Sequence, residues 1–255
     1  MIAKDKSVAL YQSIADENED RVYEYWHASS LAICPRAHYF KRLGVPMSAP
    51  QPTAAKMLRW QAGHIMETAI RQHIVKVWGG GKDVMSNKRF TSEKLQLTGE
   101  FDNLAVANNT LVEIKTVHDY ALIERDGEAT LKKDSGQKTK WGKPAYEPLL
   151  TPYLHHEIQN HGYAHLLEEN GVTVENIDYV YITLSGRIVV YHTEVSNNLK
   201  ERVLKRIELL NEAWVKKQPP DCKCDPKSEL WGGVYQWCDY QQEGKPCCDL
   251  RLLKN

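Results

Sequence analysis

At 255 residues, 42% hydrophobic and 26% charged, the chain has the composition of a globular protein long enough to bury a full core. Its 33 basic residues balance its 33 acidic ones, which excludes binding to nucleic acid through overall charge, so such a partner would have to meet a local patch. No apolar run reaches the length of a membrane span, and the first residues lack a signal-peptide core. We therefore expect no membrane association and a cytoplasmic location, which would be the host cytoplasm if a phage encodes the chain.

The first part of the chain predicts two helices. Residues 1–20 are polar and are expected to be flexible. Serines at positions 29 and 30 are typical N-caps, which predicts a helix from there to residue 43, before Gly44. A long second helix is predicted over 53–78 and ends at a run of three glycines. Gly63 lies inside it at a cost of roughly 1 kcal/mol relative to alanine, which suggests that another backbone approaches closely.

About three strands are predicted over residues 82–117, and the stretch 98–116 predicts a β-hairpin. Apolar residues alternate before it, and the turn contains Asn108 and Asn109, whose side chains tolerate positive φ. Because side chains alternate between the two faces of a strand, Glu113 and Lys115 share one face, and Asp102 on the partner strand converges with them.

This hairpin carries residues suited to metal-assisted hydrolysis. Two carboxylates, Asp102 and Glu113, can hold a hard divalent cation that activates water and polarises a phosphoryl oxygen. Lys115 can orient the water or offset charge developing on a phosphate. The alternative for an acid-x-lysine pair alone is a solvated strand surface.

The middle of the chain is less regular. Residues 117–125 predict a short helix, and residues 126–148, rich in Gly, Lys, Ser, Gln and Pro, predict a mobile loop. Lysines surround Trp141 in this segment. Basic residues beside an aromatic ring suit single-stranded nucleic acid, which makes Lys138, Lys140 and Trp141 candidates for binding it. The alternative is a solvated linker.

The second half predicts a helix opened by Thr151 and Pro152 and ended by Asn170 and Gly171. Two strands follow, over 177–184 and 187–195, joined by Ser185-Gly186, and a helix is predicted over 197–217. The order of helix, strands, helix, strands, helix and tail predicts an α/β domain with a mixed sheet.

Six cysteines are expected to stay reduced in the cytoplasm, where they are more often metal ligands or buried apolar residues than disulfides. Cys34 lies early in the chain, and the other five lie in a tail with little periodicity. The tail cysteines are Cys222, Cys224, Cys238, Cys247 and Cys248. Four thiolates suit a 4Fe–4S cluster or a structural zinc ion, and the six include more than one such site needs. The absence of any metal there is the third alternative.

Four motifs occur in one order along the chain. They are Gly63-His64-Ile65-Met66-Glu67, Gly99-Glu100-Phe101-Asp102, Glu113-Ile114-Lys115 and Gln159-Asn160-His161-Gly162-Tyr163. Together with a cysteine before them and cysteines after them, they resemble the PD-(D/E)xK nuclease superfamily. Within it, the chain is similar to the RecB-like and CRISPR-associated-type exonucleases that carry an iron–sulfur cluster, and to their phage relatives.

The resemblance implies an α/β, restriction-endonuclease-like core with a central mixed sheet flanked by helices. A cysteine-rich C-terminal tail would be tied to the N-terminal helix by a metal cluster. The whole chain, 1–255, would be one domain, with the nuclease core at 53–217 and the cluster region at 21–48 and 219–255. Implied catalytic residues are Glu67, Asp102, Glu113, Lys115, Gln159 and Tyr163, with Mg²⁺ or Mn²⁺ held by Asp102, Glu113 and Glu67.

The implied function is a metal-dependent DNA nuclease, an exonuclease on single-stranded DNA or on DNA ends, with protein partners in recombination or CRISPR adaptation. A catalytically weak or silent DNA-binding subunit is the alternative, and a zinc-stapled structural module is a third. Two departures bear on these expectations. Met66 stands where many relatives have a histidine that contacts the metal, and His64 is a candidate substitute for it that points from a different part of the helix. The late cysteines are also spaced more widely than is usual.

Overall fold

A computed structural model describes residues 24–45, 54–79, 83–125 and 128–221. The helices in these ranges are α1 (Pro35–Leu43), α2 (Ala54–Gly79), α3 (Leu154–Glu169) and α4 (Asn197–Val215). The strands are β1 (Trp26–His27), β2 (Val84–Ser92), β3 (Leu97–Ala105), β4 (Thr110–Val117), β5 (Leu122–Arg125), β6 (Glu128–Lys138), β7 (Pro144–Pro148), β8 (Asn176–Thr183) and β9 (Ile188–Glu194). None of the helices in the described ranges combines the length and apolarity needed to cross a membrane.

The central sheet is mixed, as predicted. β4 and β8 run parallel over eight residue pairs, β9 pairs antiparallel with β8, and β2 pairs antiparallel with β3. The two residues of β1 pair parallel with the start of β3. Helices cover both faces of this sheet, so the predicted α/β architecture is confirmed.

The sheet is split along one edge of β3. On this edge, β1 pairs with Leu97 and Thr98, while β4 pairs only with residues 103–105. β2 runs along the other edge. Within the described ranges, residues 99–102 therefore have no strand partner on the split edge. The opening lies between the two strands of the predicted hairpin, next to Asp102.

The two faces of the sheet carry two separate apolar clusters. The larger one lies under α1, α3 and α4 and contains Trp26, Phe101, Tyr179 and Tyr181, among other residues. The smaller one lies under α2 and consists of Ile74, Val112, Ile114, Val180 and Ile182, with Met66, Ile70 and Trp78 packed against it. The alternation predicted for β4 is thus confirmed, because Val112 and Ile114 face α2.

Several predicted boundaries are confirmed. The hairpin turn contains Asn109 with φ of 50°, and Gly171 with φ of 78° follows α3. Gly186 with φ of 85° joins β8 to β9. Ser196 is the N-cap of α4, where its side chain accepts a hydrogen bond from the backbone N–H of Leu199 at 3.4 Å.

The prediction of a short helix over 117–125 is wrong. Residues 119–121 form a single 3-10 turn, and β5 follows. The prediction of a mobile loop over 126–148 is also wrong, because β5, β6 and β7 form a separate antiparallel sheet. These strands are largely solvated and have little apolar alternation to reveal them, with Leu122 and Leu131 as their buried anchors.

Two predictions about helices need correction. The first helix begins at Pro35 and not at the serines, since residues 28–30 form a separate 3-10 turn. Pro35 suits the first helical position because its missing N–H has no partner there. Gly63 is not required by a neighbouring backbone, because an added Cβ would meet only the side chain of Thr116, at an ordinary 3.5 Å.

The predicted tie between the N-terminal helix and the tail falls mostly outside the described residues. Cys34 is 2% exposed and precedes α1. The guanidinium of Arg206 on α4 donates to the carbonyl of neighbouring Ile33. The five tail cysteines, from Cys222 to Cys248, and the N-terminal residues 1–20 lie outside the described ranges, so the cluster stays a prediction.

Candidate active site

Asp102 lies at the split in the sheet. Its carboxylate oxygen Oδ2 accepts a hydrogen bond from the backbone N–H of Ile114 at 2.7 Å. The side chain thereby takes the place of a strand partner for β4 at the point where the ladder with β3 has ended. This bond holds the Asp102 carboxylate against the backbone of β4, at the residue that follows Glu113.

Glu113 is 1% exposed, and one of its carboxylate oxygens contacts two side chains. Lys115 Nζ lies 2.5 Å from Glu113 Oε1, and Gln159 Nε2 donates to the same oxygen at 2.8 Å. The other oxygen, Oε2, is buried and accepts no hydrogen bond from the described residues. A buried carboxylate oxygen without a donor is costly unless a cation or proton meets it.

Helix α3 supplies the polar support of Glu113. Gln159 and Tyr163 share one helix face at i and i+4, and Gln159 Nε2 also donates to the Tyr163 hydroxyl at 2.9 Å. The Tyr163 ring lies on Gly99 of β3, where an added Cβ would sit 2.6 Å from a ring carbon. The glycine of the Gly-x-x-Asp motif therefore makes room for the tyrosine of the Gln-x-x-x-Tyr motif.

The carboxylates and the lysine shift one another's ionisation. Burial, and then the charge of Glu113, raise the pKa of Asp102 well above its usual value. Burial likewise raises the pKa of Glu113, against the opposing effect of Lys115. For Lys115, burial lowers the pKa, but Glu113 and Asp102 outweigh it and raise the pKa overall. Lys115 is thus protonated at neutral pH.

Glu67 of α2 stands at the margin of this group. Its carboxylate contacts Arg71 Nη2 at 3.3 Å and His64 Nδ1 at 3.6 Å, and His64 is 81% exposed. The negative charge of Glu67 contributes to the raised pKa values of Asp102 and Glu113. Met66 packs into the small apolar cluster under α2.

The donors fit a hard divalent cation at Asp102 and Glu113. Both are carboxylates, the charge of Glu113 reaches Asp102 and raises its pKa, and Glu113 presents a buried oxygen without a donor. Over the ranges that the structure describes, no group of three or more His, Cys, Asp and Glu side chains is placed to hold a metal ion. Glu67 is held by Arg71 and His64.

Lys138, Lys140 and Trp141 lie apart from this group, at and beside the turn between β6 and β7. Trp141 is 77% exposed, and Lys140 Nζ lies 5.1 Å from the centre of its indole ring. These residues are on the surface of a hairpin, where a long ligand can reach them.

A cluster of aromatic rings at the start of α3 was not predicted from the sequence. His155 and His156 lie with ring centres 4.0 Å apart, and the Tyr181 hydroxyl lies 2.9 Å from His156 Nδ1. Tyr181 is paired in register with Lys115 on the adjacent strand. The signal in the sequence was the run Tyr153-Leu154-His155-His156, which ends three residues before Gln159.

No protein-family model matches the sequence, and no curated protein matches it. Solved structures to which the chain is similar include an alkaline exonuclease from Laribacter hongkongensis, 13% identical over 81% of this chain and 93% of that chain, with a TM-score of 0.46. A phage-related exonuclease from Haemophilus somnus is 13% identical over 76% and 96%, with a TM-score of 0.39. A putative exonuclease from Eubacterium rectale is 12% identical over 76% and 80%, with a TM-score of 0.44.

Proposed function

We propose that this protein is a metal-dependent deoxyribonuclease of the PD-(D/E)xK kind, hydrolysing phosphodiester bonds as an exonuclease on single-stranded DNA or DNA ends. One observation carries the proposal. Glu113 is buried with one oxygen bound to Lys115 and Gln159 and the other without a donor, beside a second buried carboxylate, Asp102. Such a pair is costly unless a cation or a proton meets it, and a divalent cation is the occupant that this proposal assigns.

Asp102 and Glu113 would hold Mg²⁺ or Mn²⁺, with Glu67 at the margin. The cation, when bound, supplies an acidified water and neutralises charge on the phosphate. The bond from the Ile114 N–H fixes Asp102, and that from Gln159 fixes Glu113, so the two carboxylates are oriented before a cation arrives.

Lys115 is the residue that acts on the reacting phosphate. Its ammonium is protonated because Glu113 and Asp102 outweigh the effect of burial on its pKa. It remains 24% exposed, so it can reach a phosphate lying in the opening of the sheet. There it stabilises the additional negative charge that develops as water attacks phosphorus.

Gln159 and Tyr163 are positioning residues in this proposal. Gln159 binds Glu113 and Tyr163 together, and the ring of Tyr163 is fixed over Gly99. The exposed lysines and tryptophan at the hairpin turn, Lys140 and Trp141 with neighbouring Lys138, would hold the strand farther from the site. The lysines would neutralise phosphates, and the tryptophan would stack on bases.

We further propose that Cys34 joins three cysteines of the tail in a 4Fe–4S cluster, with a structural zinc ion as the alternative. The buried position of Cys34 at the start of α1 and the adjacent guanidinium of Arg206 support an anionic centre there. Absorption in the visible region and metal analysis of anaerobically purified protein would distinguish the two metals.

The nuclease proposal is tested with end-labelled single- and double-stranded DNA in Mg²⁺, Mn²⁺ and EDTA. We expect cleavage with a divalent cation, its loss in Asp102→Ala, and retained DNA binding by that variant. Glu201→Ala removes an exposed carboxylate of α4 and should cleave like the parent. Normal cleavage by Asp102→Ala would contradict the assignment. DNA binding without cleavage by the parent protein would favour a silent DNA-binding subunit instead.

A further inference from the structure

Two pairs of stacked rings lie where β4 ends and α3 begins. The rings of His118 and Tyr120 are 4.9 Å apart with an angle of 16° between their planes. Those of Tyr153 and His155 are 5.6 Å apart with an angle of 18°. We call these four residues the aromatic shelf. Both pairs adjoin the end of β8, because the backbone N–H of Tyr153 donates to the Tyr181 hydroxyl, and Asp119, next to Tyr120, is bonded to Ser185 just after that strand.

The aromatic shelf adjoins Lys115. His118 follows Lys115 by three residues, directly after β4 ends. On the adjacent strand, Tyr181 is the register partner of Lys115, and its hydroxyl accepts a hydrogen bond from the backbone N–H of Tyr153 at 3.2 Å. The charge of Lys115 reaches His155, where burial first and Lys115 second lower the pKa to about 4. The His155 ring is therefore uncharged at neutral pH.

Tyr120 is exposed, but hydrogen bonds hold the turn that carries it. It is 70% exposed, in the 3-10 turn 119–121. Asp119 of that turn accepts hydrogen bonds from Arg187 Nη2 at 3.1 Å and from the Ser185 hydroxyl, and Arg187 also donates to the Asp119 carbonyl at 2.9 Å. These bonds fix the turn to the β8–β9 connection. The Tyr120 ring stacks on His118 and is otherwise left in water, so much of it is accessible to a ligand.

We propose that the aromatic shelf stacks the unpaired bases of the strand that enters the site, so that Lys115 meets the phosphate of a single strand. The proposal rests on the nuclease function above and names its substrate class. Every base has a flat face, so stacking on such rings tolerates any sequence. Bases inside a duplex are already paired and stacked on one another, and an exposed ring beside the site therefore favours unpaired ones.

The test measures binding of the full chain, in EDTA to prevent cleavage, by fluorescence anisotropy. The probes are labelled oligo-dT and an abasic strand of the same length, which keeps the phosphates and lacks the bases. We expect Tyr120→Ala to weaken oligo-dT binding roughly tenfold and to leave abasic binding unchanged. Tyr120→Phe, which keeps the ring, should bind oligo-dT like the parent. Tyr146→Ala removes an exposed ring of β7 and serves as the matched control.

The shelf proposal is overturned if Tyr120→Ala binds oligo-dT like the parent, if it loses both probes equally, or if the parent binds neither probe. Cleavage with Mn²⁺ is scored separately. If the parent cleaves DNA but its oligo-dT binding does not depend on Tyr120, the nuclease proposal stands and the shelf proposal is rejected. If the parent binds oligo-dT through Tyr120 but cleaves no DNA, the shelf proposal stands and the nuclease proposal is rejected.

Discussion

The two faces of the central sheet differ in how tightly their helices are held. Every residue of α3 from Ile158 to Leu167 is buried, between the sheet on one side and α4 and the N-terminal segment on the other. On the opposite face, Ile74 is the one buried residue of the described side chains of α2, 57–79. Leu58, Ile65 and Val77 of that helix are exposed.

The candidate site draws on both faces in different ways. Gln159 and Tyr163 come from the tightly packed face and fix Glu113 through bonds under 3 Å. Glu67 comes from the sparsely packed face and makes longer contacts with Arg71 and His64. Groups that must keep their geometry belong on rigid elements, whereas a residue that adjusts to a ligand can lie on a looser one. Substitutions on the two faces should therefore have different signatures.

The largest effect is expected from Lys115→Ala on the tightly packed face. Loss of a preorganised charge at the reacting phosphate should lower the single-turnover cleavage rate by roughly 10²–10³. DNA affinity should change much less, because the interaction belongs mainly to the transition state. Lys94→Ala, which removes an exposed lysine paired with Glu169, is the control. A rate within a few-fold of the parent would show that Lys115 is not catalytic.

The next effect is a difference in stability between the two faces, measured by substituting one glycine on each face. Gly99→Ala places a Cβ 2.6 Å from the Tyr163 ring, and overpacking of this kind costs about 1–3 kcal/mol. Gly63→Ala meets Thr116 at an ordinary 3.5 Å and should gain up to about 1 kcal/mol from helix propensity. Urea unfolding of the metal-free variants measures both. Equal shifts would mean that the faces do not differ as described.

A smaller effect concerns pH. Burial raises the pKa values of Asp102 and Glu113 in the folded protein, and neighbouring carboxylates, Glu113 for Asp102 and Glu67 for both, raise them further. The folded state therefore binds protons more tightly than the unfolded one, and the metal-free protein should lose stability as pH rises from about 4 through the folded pKa values. Asp102→Asn can keep the bond from Ile114 without the charge, so it should raise the metal-free melting temperature at pH 7 and flatten this dependence. A parent whose metal-free stability rises over that range would contradict the shifts.

The smallest effect is expected from Glu67→Gln on the sparsely packed face. Its contacts with Arg71 and His64 are partly exposed, and such ion pairs contribute about 0–1 kcal/mol. We expect unchanged thermal stability and a raised metal requirement for cleavage, seen as a shift in the Mn²⁺ concentration at half-maximal rate. Loss of folding in this variant would show that α2 is held more tightly than its exposure indicates.

The sequence predicted what local chemistry determines. Asparagine in the hairpin turn and glycine after α3 mark positive φ, and strand alternation placed Glu113 and Lys115 on one face. No local pattern in the sequence predicts the contact between Gln159 and Glu113. Only the order of the motifs along the chain indicated that the two residues share a site. Two features escaped prediction for physical reasons. The split beside Asp102 depends on β1 and β4 sharing an edge of β3, and β6 and β7 are stabilised by each other and not by an apolar pattern.

The hydroxyl of Tyr191 has a consequence for how this fold tolerates change. It accepts a hydrogen bond from the Leu131 N–H at 2.9 Å and donates to the Leu149 carbonyl at 2.8 Å, and Leu149 N–H donates to Leu131 at 2.7 Å. These three bonds close the base of the hairpin formed by β6 and β7. Residues beyond that base, 132–148, form an arm whose length can change without altering the rest of the domain, since closing a longer loop costs little. Insertions, deletions and grafted sequences should therefore be tolerated in this arm.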